Sequence, residues 1–431
     1  MSTARFDLPL SEHHQRLASR AMQVGIALML ALGVVTLNLS VVVNGGLALA
    51  ATALPAVLRR DYRLPLNAGL TLWITSALFL HTVGMFGFYD DLWWWDHMTH
   101  TLSATIIAAT GYVAARAVDV HSEDIHLPRG FLFVYIVLFT LALGVLWEVM
   151  EFAVRVGADV LGLDPVLIQY GLSDSLLDLV FDTVGAVVVG LFGAGVFGGL
   201  TAALARRLDA ARGRQRDSPR SSRTGTDEAS SHVPLDAALS RDRSNARRSW
   251  LVTAALGAVV AATLVRGDLL WAGFATAATC FVLVPAAVYR TPRVMPPWRL
   301  LVLLLVPVVA RAVAPEGVVG SLGTYLAVAA VALLVAVEIH RFTTVEMTPW
   351  FAVVTVVVTT MAAAGVWAVV RWLADLFLGT QFLLVPGLTE AQIEDDVMWD
   401  FVYSTVAGVA AGVVFEYGFR RGEGGEAGLT E

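Results

Sequence analysis

The feature that most constrains this chain is a series of apolar segments, each long enough to cross a lipid bilayer as a helix. A helix needs about 20 apolar residues to span the hydrocarbon core. Hydrophobic residues make up 57% of the 431 residues and charged residues only 15%, whereas a soluble protein carries about 25% charged residues. The segments are continuously apolar and do not alternate, which is typical of helices rather than barrel strands. The sequence therefore predicts an all-α, polytopic integral membrane protein.

We predict about twelve transmembrane helices, arranged as two six-helix pseudo-repeats. The predicted spans are 21–38, 41–58, 67–88, 97–117, 130–152 and 175–205, followed by 249–265, 269–289, 299–314, 318–339, 350–374 and 398–419. Residues 207–248 are rich in Arg, Ser and Asp, and such a segment buries too little apolar surface to offset its ordering entropy. We therefore expect a first membrane repeat at 1–206, a disordered cytoplasmic linker at 207–248 and a second membrane repeat at 249–431.

The arginines predict how the chain is oriented. If the N-terminus is cytoplasmic, most arginines near the ends of the spans lie on the cytoplasmic side, and only Arg155, Arg266, Arg311 and Arg371 lie outside. This asymmetry follows the positive-inside rule. We expect a plasma-membrane protein with both termini in the cytoplasm and the lipid bilayer as its partner. The net charge of −7, with arginines dispersed along the membrane edges, predicts no nucleic-acid binding.

Parts of the first repeat recur in the second at nearly constant offsets of 219 to 222 residues. The recurring elements are Asp174-x3-Asp178-x3-Asp182 with Asp396-x3-Asp400-x3-Ser404, Gly190 with Gly412, and Val118-Asp119-Val120-His121 with Val337-Glu338-Ile339-His340. Several matches in the same order favour an internal duplication. Halves with an even number of spans would be parallel repeats.

Ionisable side chains inside the predicted spans form the candidate functional site, since each costs about 2.5–3.5 kcal/mol near a helix centre. Their spacing of three or four residues puts the members of each span on one helix face. The fourth and sixth spans begin at the outer face and the fifth ends there, so all these groups are expected at one depth. The candidate residues are Asp96, His100, Glu148, Glu151, Asp174, Asp178 and Asp182.

Carboxylates crowded in a low dielectric repel one another, and a divalent cation or shared protons would relieve the repulsion. Carboxylate oxygens with imidazole nitrogen suit Zn²⁺ or Mn²⁺, whereas carboxylates and water alone suit Mg²⁺ or Ca²⁺. The candidate metal ligands are His100, Glu148, Glu151, Asp178 and Asp182. A hydrated polar core without a metal stays open as an alternative. His97 is expected to be an interfacial group rather than a ligand.

The second repeat keeps Asp396, Asp400 and Ser404 but has no histidine at the position equivalent to His100. An arginine, Arg371, lies in its fifth span, and an Arg–carboxylate pair would neutralise itself. We therefore expect the second repeat to be a degenerate scaffold.

Three motifs of the first repeat resemble those of YjdF-type inner-membrane proteins. The motifs are Trp95-Asp96-x3-His100, Trp147-Glu148-x2-Glu151-Phe152 and Asp178-x3-Asp182-x2-Gly185. They are more distantly similar to VanZ-like membrane proteins, which have an Asp-x3-His pair on one span and a later carboxylate-rich span. The resemblance covers residues 65–205 and, weakly, 338–420. His97 departs from it, because such motifs usually carry a basic residue there, and the chain is twice the usual unit. The resemblance implies a multi-pass fold and a cell-envelope role, without assigning a reaction.

The functional hypothesis from the sequence is an outward-facing His/Glu/Asp site that binds or acts on a cell-envelope lipid or headgroup, linked to a divalent cation or to protons. One alternative is a transporter of small solutes or ions, because two parallel halves are common among transporters, although fold does not give function. Another is a non-catalytic envelope scaffold. The sequence identifies no catalytic residue and does not decide whether the chain is an enzyme.

Overall fold

A computed structural model describes residues 10–122, 125–216 and 243–426 of the chain. Over these residues the protein is all-α. The helices are α1 (Glu12–Val35), α2 (Leu39–Ala51), α3 (Leu54–Arg60), α4 (Ala68–Val83), α5 (Tyr89–Asp91), α6 (Trp93–His121), α7 (Arg129–Leu161), α8 (Leu172–Arg216), α9 (Arg243–Val265), α10 (Leu269–Val288), α11 (Trp298–Val313), α12 (Gly317–Phe342), α13 (Pro349–Leu378) and α14 (Glu390–Glu426).

Ten helical segments among the described residues are long and apolar enough to cross a membrane, which agrees with a polytopic membrane protein. They coincide with ten of the twelve predicted spans. The other two predictions fall on α11 and α14. Helix α11 has 16 residues and is about 24 Å long at 1.5 Å per residue, shorter than the roughly 30 Å hydrocarbon core. Helix α14 begins with an acidic stretch, Glu390 to Asp400.

The linker predicted at 207–248 needs a correction at both ends. Helix α8 continues through residues 207–216, and α9 already begins at Arg243. Arg-rich helix ends extend beyond the apolar segments because their backbone hydrogen bonds continue from the spans. The central part of the predicted linker, 217–242, lies outside the described residues, as do the predicted cytoplasmic ends at 1–9 and 427–431.

The described residues group into two compact units. The first contains 10–122, 127–212 and 364–401, and the second contains 125–126, 213–216, 243–363 and 402–426. Residues 364–401, which the sequence assigned to the second repeat, therefore pack with the first unit. The division into repeats at 1–206 and 249–431 stays a prediction.

Glycines set the distances between the helices of the first unit that carry the candidate site. A Cβ at Gly185 of α8 would lie 2.7 Å from the carbonyl oxygen of Thr101 and 2.9 Å from the Cβ of Ala104, both on α6. A Cβ at Gly144 of α7 would lie 2.5 Å from an Asp182 carboxylate oxygen of α8. Small residues let membrane helices approach closely. Helix α8 therefore packs tightly against both α6 and α7.

The end of α4 bends into the first unit through a π-helical segment, Gly84–Phe88. Gly87 has a φ of 99°, a conformation that favours glycine. The bend brings the hydroxyl of Tyr89 within 2.7 Å of His81 Nδ1. Such π-helical irregularities are frequent at functional sites.

The second unit has an apolar core of its own, formed by α9 to α12. Leu256, Leu301, Leu304 and Leu334 are fully buried there, and Trp271 is nearly so. The Trp271 indole N–H donates to the carbonyl oxygen of Val308 at 3.2 Å. This unit contains none of the candidate site residues.

Candidate functional site

The seven candidate residues all lie in the first unit and come from helix ends that meet. Asp96 and His100 lie in the first turns of α6, Glu148 and Glu151 in the last third of α7, and Asp174, Asp178 and Asp182 at the start of α8. Because consecutive spans run in opposite directions, these ends lie on one side of the helix bundle. The geometry agrees with the common depth that the sequence indicated.

His100 lies at the centre of three aspartates. Its Nε2 is 3.6 Å from Asp178 Oδ2 and 3.8 Å from Asp96 Oδ1. Its Nδ1 is 3.5 Å from Asp182 Oδ1 on the opposite side of the ring. Asp96, His100 and Asp178 each offer one ligand atom, and these atoms lie within 4.8 Å of one another. One ring nitrogen of His100 thus faces a ligand group, and the other faces a carboxylate that can orient the ring.

His97 is buried, which corrects the expectation of an interfacial group. The residue is 5% exposed, and its ring stacks on Phe181 at 4.7 Å with an interplanar angle of 4°. Its Nδ1 lies 3.5 Å from Asp178 Oδ1. His97, Asp174 and Asp178 form a second group whose ligand atoms lie within 4.8 Å of one another. The signal available in the sequence was the spacing from His97 to His100, which puts both rings on neighbouring positions of one helix face.

The structure places the predicted ligands Glu148, Glu151 and Asp182 outside both groups. Glu148 is 2% exposed and packs on the α8 side of α7. Glu151 accepts a hydrogen bond from the indole N–H of Trp147 at 2.9 Å. Of the five predicted metal ligands, His100 and Asp178 are therefore brought together in one group, joined there by Asp96.

Three buried polar atoms of the site have no hydrogen-bond partner among the described residues: His97 Nδ1, Asp178 Oδ1 and Glu148 Oε2. A buried polar atom without a partner costs about 1–3 kcal/mol. Most buried polar atoms in proteins are paired, so three orphans at one place require an explanation. A ligand that coordinates them would supply one.

The arginine on α7 does not neutralise these carboxylates. Arg155 Nη2 lies 2.6 Å from Asp395 Oδ1 and 3.8 Å from Glu394 Oε1, on α14. Within the described part of the chain, no arginine forms an ion pair with any candidate site residue. The cluster therefore carries excess negative charge, which favours a cation.

A cavity of about 1040 Å³ opens onto the cluster. Asp96, His100, Asp174 and Asp178 line one wall, and Tyr170 lies among the other lining residues. Asn44 of α2 donates to the carbonyl oxygen of Val166 at 2.7 Å, which ties α2 to the loop between α7 and α8. The cavity is large enough to hold a small organic molecule or a lipid headgroup.

A second, almost wholly apolar groove of about 810 Å³ follows the contact between α6 and α8. His97 lines this groove, while its Nδ1 faces Asp178, which lines the polar cavity. His97 therefore lies between the two spaces. The other residues that define the groove are Trp73, Trp93, Trp94, Met98, Thr101, Leu102, Thr105, Phe181, Val188, Val189, Phe192, Gly193, Val196 and Phe197.

Comparison with known proteins gives matches to families that have no assigned activity. Residues 234–295 match a domain of unknown function (DUF8268). An uncharacterized protein from Thermotoga maritima is 31% identical over 120 residues, which cover 26% of this chain and 56% of that relative. This chain thus spans little more than half the length of the curated relative it matches. No solved structure matches the chain. Residues 17–199, which include all residues of the His/Asp cluster, match the model of a family described as predicted membrane protein (DUF2238).

Proposed function

We propose that this multi-pass membrane protein binds a divalent cation at Asp96, His100 and Asp178, and uses it to bind or act on the headgroup of a cell-envelope lipid. The observation that carries the proposal is the convergence of these three side chains on the wall of a cavity, with no arginine paired to them among the described residues. A cation would balance carboxylates that otherwise repel one another in a low dielectric.

The chemistry of the donor set supports this proposal. Two carboxylates and one imidazole suit Zn²⁺ or Mn²⁺. Asp182 lies 3.5 Å from the ring nitrogen of His100 that faces away from the ligand group. A carboxylate at that position fixes the ring orientation and makes the imidazole a stronger ligand. We therefore assign Asp182 as a positioning residue.

The apolar groove supports a lipid as the molecule that is bound. It follows α6 and α8 from Trp93 to Phe197, and it reaches His97 beside the polar cluster. An acyl chain lying along this groove would put its headgroup at the cavity. A bound cation would then attract an anionic headgroup, which the carboxylates alone would repel.

Metal content tests the first part of the proposal. We expect the purified full chain, loaded with Mn²⁺ and desalted, to retain at least one ion per chain by elemental analysis. His100→Ala should lower that content, because it removes the central ligand. Asp400→Asn, on α14 and outside the cluster, should leave it unchanged. A wild-type chain that retains no metal overturns the proposal.

A pair of tryptophan substitutions on α8 tests the lipid part. Val188 lines the groove and is 44% exposed, whereas Leu191 is 62% exposed and does not line it. Val188→Trp should fill the groove and lower the phospholipid that co-purifies with the chain, measured by mass spectrometry. Leu191→Trp adds the same ring elsewhere on the helix and should change nothing. Equal lipid content in both variants contradicts a lipid site in the groove.

An outward-facing site with both termini in the cytoplasm remains part of the proposal. The likeness to YjdF-type and VanZ-like proteins supports an envelope role for it. Labelling of single cysteines from outside the cell, in a Cys280→Ser background, tests the orientation. Substrate-dependent uptake into proteoliposomes would instead favour the transporter alternative, and site variants with unchanged phenotype and normal folding would favour a scaffold.

The proposed duplication has support from one pair of packing contacts. A Cβ at Gly190 would lie 2.6 Å from Phe133, and a Cβ at Gly412 would lie 2.8 Å from Val353. Gly412 follows Gly190 by 222 residues, and Val353 follows Phe133 by 220. The same glycine-mediated approach between two helices thus recurs at the spacing of the sequence repeat.

A further inference from the structure

We propose that the cluster binds two divalent cations, with Asp178 as the carboxylate that bridges them. This inference rests on the proposed metal site and extends it. The first ion would bind Asp96, His100 and Asp178, and the second would bind His97, Asp174 and Asp178. Asp178 is the residue that the two ligand groups share.

The two oxygens of Asp178 face different histidines. Oδ1 lies 3.5 Å from His97 Nδ1, and Oδ2 lies 3.6 Å from His100 Nε2. A carboxylate that bridges two metal ions offers one oxygen to each. The two imidazoles come from the same face of α6, so each reaches one end of the Asp178 carboxylate.

A single ion at the first group would leave part of the cluster without a partner. His97 is 5% exposed and Asp178 is 4% exposed, yet His97 Nδ1 and Asp178 Oδ1 have no hydrogen-bond partner among the described residues. Both atoms point into the second group, 3.5 Å from each other. A second ion would coordinate both atoms and remove a cost of about 1–3 kcal/mol for each.

The aromatic packing of His97 supports a ligand with a fixed orientation. Its ring lies flat on Phe181 and meets the edge of Trp93, with ring centroids 4.7 Å and 5.8 Å apart. These contacts hold the plane of the imidazole, so that Nδ1 stays directed at Asp178. Ligands held in this way need little reordering when an ion binds.

The charge of the cluster is also better balanced by two ions. Six carboxylates lie within or beside it, and among the described residues none of them is paired with an arginine. These are Asp96, Glu148, Glu151, Asp174, Asp178 and Asp182. Two divalent cations bring four positive charges, whereas one brings two.

A two-metal centre indicates the substrate class. Pairs of ions about 3.5–4 Å apart bind two oxygens of one phosphoryl group. Beside an apolar groove, this chemistry fits the phosphate of a phospholipid or a related lipid phosphate better than a neutral sugar headgroup. The inferred ligand is therefore a lipid that carries a phosphoryl group.

Metal stoichiometry and electron paramagnetic resonance test the inference on the purified full chain loaded with Mn²⁺. We expect two Mn²⁺ per wild-type chain, with the broadened spectrum of two exchange-coupled ions. His97→Phe keeps the ring that stacks on Phe181 but removes the ligand nitrogen, so it should retain one Mn²⁺ with the six-line spectrum of an isolated ion. Asp178→Asn should lose both ions. Asp400→Asn is the matched control, because it makes the same change at the corresponding motif position of α14, and it should retain two.

Each other outcome has a defined meaning. One Mn²⁺ per wild-type chain, unchanged in His97→Phe, overturns the two-metal inference and leaves the proposed single site standing. Two ions with uncoupled six-line spectra overturn the bridging role of Asp178. A wild-type chain without metal overturns both proposals. Thermal unfolding of every variant in the same detergent shows whether a loss of metal reflects a loss of fold.

Discussion

Two aspartates of this protein occupy corresponding positions in the same motif and have opposite surroundings. Asp178 on α8 and Asp400 on α14 each follow another aspartate by four residues, and both belong to the first unit. Asp400 Oδ2 lies 3.4 Å from Arg371 Nη2. Asp178 lies instead between two histidines, with carboxylates around it. The same spacing of aspartates thus gives an internal ion pair in one place and an uncompensated cluster in the other.

The difference depends on one neighbouring position. Arg371 follows Glu151 by 220 residues, close to the offset that relates Asp400 to Asp178. Where the sequence has arginine, the carboxylate is neutralised within the chain. Where it has glutamate, negative charge accumulates, and a cation from outside the chain is needed to balance it. A short acidic motif therefore does not identify a metal site by itself, because the charge on the adjacent helix decides its role.

The largest effect is expected from Glu151→Arg, which gives the Asp178 cluster the charge found beside Asp400. A guanidinium there would pair with Asp178 and compete with any cation. We expect elemental analysis to find no retained Mn²⁺ in this variant. Glu151→Gln removes the carboxylate without adding a cation and should keep the metal. Retention of metal by Glu151→Arg would show that the charge difference does not explain the comparison.

A smaller loss is expected from Gly144→Ala. The new Cβ would lie 2.5 Å from an Asp182 carboxylate oxygen, so Asp182 must move away from His100. Loss of such a supporting contact lowers metal affinity by about 10–100-fold. A competition titration with a fluorescent chelator measures this change. Gly157→Ala lies on the same helix in open space and should bind metal as the wild type does. Equal affinities in both variants would contradict the positioning role of Asp182.

The arginine side of the comparison is tested by Arg371→Leu. Asp400 would then lack the charge that faces it, and its side chain is only 27% exposed. Breaking a fully buried pair costs about 3–5 kcal/mol and an exposed one about 1 kcal/mol or less, so we expect about 1–2 kcal/mol here. Thermal unfolding in detergent should show the decrease, and Arg371→Leu with Asp400→Leu should recover much of it. Metal content should not change. A drop in metal content would mean that the two regions are not independent.

The smallest effect concerns Glu394, outside the membrane-spanning segments. Burial raises the pKa of Glu394, and Arg155 opposes that rise. The folded chain then holds this proton more tightly than the unfolded chain does, so stability falls as pH rises through the raised pKa. Glu394→Gln should increase the unfolding temperature slightly at about pH 7 and leave it unchanged at about pH 4. Arg155 keeps its 2.6 Å contact with Asp395 in this variant. A lower unfolding temperature at pH 7 would show that the Arg155 contact outweighs the burial of the charge.

Much of the fold followed from hydropathy. Ten of the twelve predicted spans coincide with helices long and apolar enough to cross a membrane. The prediction was less accurate where length and charge oppose apolar character, at α11 and at the acidic start of α14. The expected boundary between repeats did not indicate that residues 364–401 pack with the first unit. Hydropathy reports whether a segment prefers lipid, and it carries no information on which helix the segment contacts.

The candidate site was predicted in part. His100 and Asp178 were among the proposed ligands and lie together, and Asp96 and Asp174 were among the polar candidates. His97 was assigned to the interface and is buried. Neighbouring residues of a helix point about 100° apart, so Asp96 and His97 belong to different faces. One sequence cannot show that α8 lies where it meets both.

The sequence by itself determined that the chain is a bundle of membrane helices, and it placed the acidic and histidine residues on defined faces at one depth. Both results follow from local properties, the apolar content of each segment and the 3.6-residue period of the helix. The tertiary structure decided which faces meet. Gly185 lets α8 approach α6, and Gly144 makes room for Asp182 beside α7. These contacts put Asp178 between His97 and His100 and leave Arg155 paired with α14. Only helix packing could decide this, because contacts between distant segments depend on the shapes of both partners.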